Sequence, residues 1–446
     1  MSGINTPRTI IQPLLVATLL VMSALGCSQR TLLPAGAEPD TALSQNATYG
    51  VAWRSTTRSD PDVIMAAAIN FDGPIRSDGT RSVTSTSPRS ISLAAGSHPR
   101  LVRVSMTEFF AAWREGDSVY GRYLNAADMT SVFPSDPPLE LNAGESRALV
   151  GFDISYSEFE NRVLLVTGRS GGNIYLYGIT RTRGGSPPFR SIRLQTLPSA
   201  SARTGARVPR IAVGRPGGTV TILVTAIPFG GGTIGDYHLI RVGEATSRYD
   251  LDPAPGMAPI EDHRCVYDPV RQRFLEVMGG WNQIYSAVIY PDGSHGRNVR
   301  LSLPAFSPTA PATIDDGGET FKRFSVADAR VTFEDVSPTG RSSGSVFTLA
   351  YSEYYKVIAT TYRRGGGSPP PPPVFAGSTT THYETGYTHG LDVLGQVRGS
   401  RVVRGPTGLR SDARKVKAAL SSEPEPWHAI IIGSDVAQHA ERYQEP

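Results

Sequence analysis

The chain has 446 residues with 46 glycines, 35 prolines and 39% hydrophobic content, which suits a turn-rich all-β protein with ample core. Its 44 basic and 40 acidic residues leave a net charge of +4, too small for charge alone to argue for a nucleic-acid partner. All the basic residues are arginine except Lys322, Lys356, Lys415 and Lys417.

At the N-terminus, Arg8 precedes an apolar run from Leu14 to Leu25 that is too short for a comfortable membrane span. The run closes on Ala24-Leu25-Gly26-Cys27. This arrangement resembles the bacterial lipoprotein signal, in which a small residue precedes a cysteine that is lipidated and becomes the new N-terminus. The resemblance implies a signal peptide over residues 1–26, lipid attachment at Cys27 and a membrane partner held through that lipid. Ser28 after the cysteine would, by the same analogy, place the protein in the cell envelope at the outer membrane. An ordinary secretory signal with an incidental cysteine is the alternative. The remaining cysteine, Cys265, sits in a predicted strand, so no intramolecular disulfide is expected once Cys27 carries lipid. Cys265 itself reads as a small buried hydrophobe.

Residues 27–47 are polar and aperiodic and read as a tether, with Thr31-Leu32-Leu33 able to add a strand. Four-stranded units follow from residue 48 to residue 446. The first has Gly50–Trp53, Val63–Ile69 and Ser90–Leu93. The second, Pro99–Asn142, is the template: Pro99–Ser105, Glu108–Arg114, Ser118–Leu124 and Pro138–Asn142. β-Branched and aromatic residues favour a pleated, half-buried backbone, hence strands. One such sheet cannot bury both faces alone and needs copies beside it.

The third unit reads Val150–Tyr156, Arg162–Thr167, Asn173–Thr180 and Phe189–Leu194, and the fourth Val208–Val213, Val220–Ala226, Tyr237–Val242 and Ser247–Leu251. The fifth has Cys265–Tyr267, Arg273–Val277, Ile284–Tyr290 and Asn298–Leu303, with Tyr290-Pro291-Asp292-Gly293 as a turn. The sixth has Phe324–Phe333, Ser345–Tyr351 and Tyr355–Tyr362, its fourth strand lying somewhere between Val374 and Val403. Units three and six are expected to leave their third strands through alike loops, Thr182–Phe189 and a Pro-rich insertion near 365–373. Val416–Leu420, Trp427–Ile432 and Val436–Tyr443 make three last strands, and 31–48 is the expected donor of a fourth. Together these units resemble a β-propeller, a single ring of seven blades closed by an N-terminal strand, with six blades as the alternative.

Most chemical motifs reduce to turns. Gly168–Gly172 and Gly340–Gly344 match Gly-x-Ser-x-Gly, but both fall in predicted hairpins instead of the strand-to-helix turn a nucleophile needs. His382–His389 holds two histidines and a glutamate in an expected loop, at no spacing that calls for a metal, and no cofactor is expected. Asp292, Asp315, Asp316, Glu334 and Asp335 are the carboxylates a glycan hydrolase or lyase could use. A positional pattern remains. The entries to six first strands carry cations: Arg100, Arg147, Arg210, His263 with Arg264, Arg323, and Arg414. In a propeller these entries line one channel mouth, suited to carboxylate or phosphate through bidentate hydrogen bonds. Pairing with Glu145, Glu261, Asp262, Glu319 or Asp412 is the competing reading. The expected function is a lipid-anchored, extracytoplasmic binding or scaffold module with a protein or anionic glycan partner and no nucleic acid. Catalysis by carboxylates on one face is the alternative.

Overall fold

The computed structural model describes residues 40–43, 48–54, 62–70, most of 84–402, and 416–420, 427–432 and 435–440. Among these residues the chain forms seven antiparallel sheets in sequence order. Blade one is β1 (Asp40–Leu43), β2 (Thr48–Arg54) and β3 (Ile64–Asn70), with β4 (Thr84–Ser85) and β5 (Arg89–Ser90) both on the outer edge of β3. Blade two is β6 (Ser97–Arg103), β7 (Glu108–Glu115), β8 (Ser118–Asn125) and β9 (Leu139–Glu140). Blade three is β10 (Leu149–Ser157), β11 (Arg162–Arg169), β12 (Ile174–Arg181) and β13 (Phe189–Leu197). Blade four is β14 (Arg207–Gly214), β15 (Thr221–Pro228), β16 (Gly235–Arg241) and β17 (Ser247–Leu251). Blade five is β18 (Ile260–Asp268), β19 (Arg273–Gly280), β20 (Gln283–Ile289) and β21 (Val299–Arg300). Blade six is β22 (Thr320–Pro338), β23 (Phe347–Arg363), β24 (Val374–Leu391) and β25 (Val397–Val402). Blade seven is β26 (Val416–Leu420), β27 (Trp427–Ile432) and β28 (Asp435–Ala440).

Each first strand lies beside the first strand of the next sheet, from β1 through β6, β10, β14, β18 and β22 to β26, and β26 lies beside β1. The ring therefore closes, and the fold is a seven-bladed β-propeller. Its core is a set of apolar layers between neighbouring blades. Phe109, Trp113, Ile64 and Met129 fill the layer between blades one and two. Phe110, Tyr123 and Phe189 meet edge-on between blades two and three, with centroids 4.9 to 6.0 Å apart. Leu164, Val166, Ile222 and Val224 join blades three and four. Fully burying one such side chain contributes about 1.5–3 kcal/mol. Blades three and four approach so closely that a Cβ on Gly168 would strike the Arg207 carbonyl oxygen.

Several local expectations hold. Cys265 is buried in β18, Gly293 closes its turn with φ +88°, and Gly171 and Gly172 make the Gly168–Gly172 segment a tight hairpin turn. Four are corrected. Of the stretch 31–48, expected to complete the last blade, residues 31–39 lie outside the described residues, and β1 pairs with β2 as the innermost strand of blade one. A connection of only four residues makes that hairpin the cheapest closure for the chain. β1 still stands at the closing joint, because it adjoins β26.

Blade six departs most. Its second and third predicted strands are one strand, β23, and His382–His389 lies inside β24 instead of a loop. The Pro-rich connection consequently joins the second strand to the third, whereas Thr182–Pro188 joins a third strand to a fourth. Successive connections of an up-and-down blade alternate between its ends, so β23 ends and β24 begins at the end of the blade opposite to that where β12 ends and β13 begins.

Candidate functional site

The inner strand of each blade has one edge paired and one edge facing the channel, so its outward N–H and C=O groups need side-chain or solvent partners. Blades two to five meet this need with charged side chains. At the centre is Asp153 of β10, whose carboxylate is 3% exposed. Its Oδ1 pairs with Arg264 Nη1 of blade five at 3.0 Å and with Arg100 Nε of blade two at 3.3 Å. Its Oδ2 accepts a hydrogen bond from the Ile211 backbone N–H of blade four at 3.2 Å. One carboxylate thus ties four blades together. Burial alone would push this carboxyl up; the charges of Arg264, Arg210 and Arg100 and the Ile211 N–H outweigh it and hold it below the usual range.

Arg210 of β14 extends the network. Its Nη2 donates to Asp262 Oδ1 at 2.6 Å and its Nε to the His263 carbonyl at 2.9 Å. Asp262 also accepts the His263 backbone N–H at 2.8 Å. His263 is fully buried: Nε2 meets the Val208 carbonyl at 3.0 Å, while Nδ1 meets Glu276 Oε1 at 2.7 Å and Thr225 Oγ1 at 3.2 Å. Because Nε2 must donate to a carbonyl, one proton lies between Nδ1 and Glu276 Oε1. Burial raises the Glu276 carboxyl, against the pull of His263. Burial likewise raises the thiol of neighbouring Cys265.

A second charged cluster crosses the boundary of blades two and three. Arg169, fully buried at the end of β11, pairs with Glu145, donates to the Asp117 carbonyl at 2.9 Å and donates to the Arg147 carbonyl at 2.8 Å. Glu145 also accepts hydrogen bonds from the Tyr177 hydroxyl and from Thr167 Oγ1, the latter at 3.2 Å. Burial drives the Tyr177 hydroxyl up to about 12, against the opposing charges of Arg193 and Arg169.

The predicted cations therefore separate into three groups. Arg100, Arg210, His263 and Arg264 are brought together, but at mid-strand inside the channel instead of at its mouth. Arg147 stays exposed just before β10, and Glu145, expected as its partner, pairs with Arg169. Arg323 lies far out on β22, stacked over Phe321 and Tyr362 at 5.4 and 5.6 Å. Arg414 and Cys27 lie outside the described residues. Of the candidate carboxylates, Asp292 accepts from the Ser294 N–H and hydroxyl within its own turn, and Asp315 pairs with Arg364. The side chains of Asp316, Glu334 and Asp335 lie outside the described residues.

Asp153, Glu276 and Arg169 were not anticipated. The available signal was a charged residue inside a buried strand, as in Phe152-Asp153-Ile154 and Leu275-Glu276-Val277. Chemically, the channel cluster gathers three guanidinium groups (Arg100, Arg210, Arg264) around two carboxylates (Asp153, Asp262) among the described residues. Asp153, held ionised by its neighbours, has no proton to donate near neutral pH. His263 has both ring nitrogens committed to protein groups.

No protein-family model matches the chain, and no curated protein is similar to it in sequence. Solved structures are similar to it in overall shape. The β-propeller domain of Nup133 from Vanderwaltozyma polyspora is 10% identical, with 93% of this chain and 99% of that one covered and a TM-score of 0.41. The WD40 domain of SCAP from fission yeast is 10% identical over 94% of both chains, also with a TM-score of 0.41. An exo-β-1,3-galactanase from Phanerochaete chrysosporium, solved with galactose, is 9% identical, with 85% and 91% covered and a TM-score of 0.36.

Proposed function

We propose that the protein is a non-catalytic binding module of the cell envelope, tethered by a lipid on Cys27, whose propeller channel takes an anionic ligand. The observation that carries this reading is a buried carboxylate, Asp153, paired with Arg100 and Arg264 from two other inner strands, with Arg210 of a third strand bonded to Asp262 in the same network. A ligand carboxylate or phosphate, as on an acidic glycan or a lipid headgroup, would meet planar guanidinium donors suited to bidentate hydrogen bonds. Arg100 and Arg264 keep 14% and 16% of their side chains exposed, which leaves them an approach from the channel. The hydrolase or lyase reading draws less support. Of the candidate carboxylates among the described residues, Asp292 is held by its own turn and Asp315 by Arg364.

The test is equilibrium binding of acidic glycans, lipid headgroups and inorganic phosphate to the full chain carrying Cys27→Ser. Exposed charge pairs weaken as the Debye length falls from about 10 Å at 0.1 M salt to about 3 Å at 1 M. Binding should weaken at least tenfold at the higher salt, and again with Arg264→Gln at constant salt. An affinity indifferent to both changes would place the site elsewhere. The anchor has its own test, since Cys27→Ser should abolish acyl labelling and release the protein from membranes. Firm anchoring needs more than one acyl chain, because a single chain gives only marginal membrane affinity.

A further inference from the structure

Blade six does not end where the ring ends. β22, β23 and β24 run for 19, 17 and 18 residues, while no other described strand exceeds nine. From Val331 onward β22 packs against blade five through Val331, Phe333 and Val336. Before that point, Thr320–Ala327, Lys356–Arg363 and Val374–Thr381 form a three-stranded arm, in which β24 is almost wholly exposed. Eight residues make it about 27 Å long. A β-bulge separates arm from ring: the register slips between Ala327 and Arg330, Asp328 takes φ +52°, and Lys356 pairs with its carboxylate. A bulge bends its strand and so turns the arm away from the line of the blade.

The outer edge of this arm is open. Among the described residues β25 pairs only with Tyr387–Leu391, so Val374–Gly386 have no partner on that side. Ring blades protect their outer edges. β9 and β21 are two residues long, β13 carries Arg190 and Arg193, and β17 carries Arg248 and Asp250. The arm has neither device; its one irregularity is a bulge at Ala376, near the start of β24. Residues 374–383 contain no Asp, Glu, Lys or Arg, they include the β-favouring run Ser378-Thr379-Thr380-Thr381, and Val374 and Phe375 are each 62% exposed. Beyond that bulge, from Gly377 to Tyr383, a long uncharged edge of this kind templates strand addition.

We propose that this edge is a homodimer interface, on which the β24 arm of a second copy adds antiparallel to form a continuous six-stranded sheet. A second copy is the fitting occupant because the uncharged stretch is compatible with itself: in any antiparallel register within 374–383, no like charges meet. A two-fold axis across the edge also makes the contact isologous, so it closes at two copies instead of propagating.

The experiment combines sedimentation velocity with concentration-dependent hydrogen exchange, on the full chain carrying Cys27→Ser. A dimer is expected whose backbone amides in 374–383 exchange at least tenfold more slowly at high protein concentration. Thr380→Lys and Thr379→Pro should each raise its dissociation constant at least tenfold. Thr380→Lys alters only an exposed side chain, so an unchanged melting curve separates lost pairing from lost folding. A chain that stays monomeric at all concentrations overturns the proposal, and so does a dimer indifferent to both substitutions or one without slowed exchange in 374–383. An edge that instead captures a different protein overturns the second copy as its occupant.

Discussion

Arg264 and Arg323 were expected at equivalent points of consecutive units, and the structure gives them opposite surroundings. Arg264 enters the channel at mid-strand of β18 and meets Asp153, with 16% of its side chain exposed. Arg323 lies on the arm, beyond the bulge at Asp328, and stacks on Phe321 and Tyr362 in the open. Blades two to five use charge internally: Asp153 is shared by groups of blades two, four and five, and Asp262 by Arg210 of blade four. The arm of blade six uses charge along its inner strands and leaves its outer edge uncharged. A residue type at a repeat position therefore does not set its own role. The length of the strand beyond the neighbouring blade decides whether it is buried and paired, or exposed.

This contrast predicts that the ring is sensitive to single changes and the arm is not. The largest effect is expected for Glu145→Ala. It would leave the fully buried Arg169 guanidinium without its counter-charge, and breaking a buried pair in this way costs about 3–5 kcal/mol. Denaturant unfolding would check it, and a loss below about 1 kcal/mol would mean that water reaches Arg169.

Next is a pH effect. His238 of β16 is 1% exposed, and neither ring nitrogen has a hydrogen-bond partner. Burial, then the charge of Arg248, lower its pKa from 6.5 to about 4. The unfolded chain takes up this proton near pH 6.5 while the folded chain resists until about pH 4. Stability is therefore full above pH 6.5 and falls as pH drops through that window, by about 3 kcal/mol in all. His238→Leu should flatten this part of the profile, and an unchanged slope would assign it to other groups.

Gly168→Ala should cost about 1–3 kcal/mol, because the added methyl meets the Arg207 backbone across the boundary of blades three and four. Smallest of all is Phe375→Ser on the arm. With 62% of this residue exposed, the melting curve of the monomer should move by less than about 0.5 kcal/mol. A large loss there would make the arm part of the core.

The same contrast explains what could be read in the sequence. Strands of the ring alternate between packed blades and turn sharply, so Val150–Tyr156 and Ser247–Leu251 fall within a residue or two of β10 and β17. Blade six misled because Ser352-Glu353, a polar pair inside β23, looks like a turn when the strand is assumed to be of ordinary length. Recurrence exposed the arginines of the channel, since repeats place them at one register. Their counter-ion was hidden: Asp153 and Arg264 are 111 residues apart in sequence, and no local pattern links them. The overhang of β24, likewise, is a matter of where blade five ends.

The proposal that the channel arginines take an external anion is tested most directly by thermal melting of wild type and Asp153→Asn. Each would be measured in chloride and in phosphate at equal ionic strength. Asn keeps the shape of Asp153 and removes the charge that Arg100, Arg210 and Arg264 surround. A bound anion stabilises by mass action. Phosphate should therefore raise the melting temperature of both proteins above that in chloride, restore much of the loss in Asp153→Asn, and raise the variant more than the wild type. Melting curves that are the same in phosphate and chloride for both proteins would contradict it.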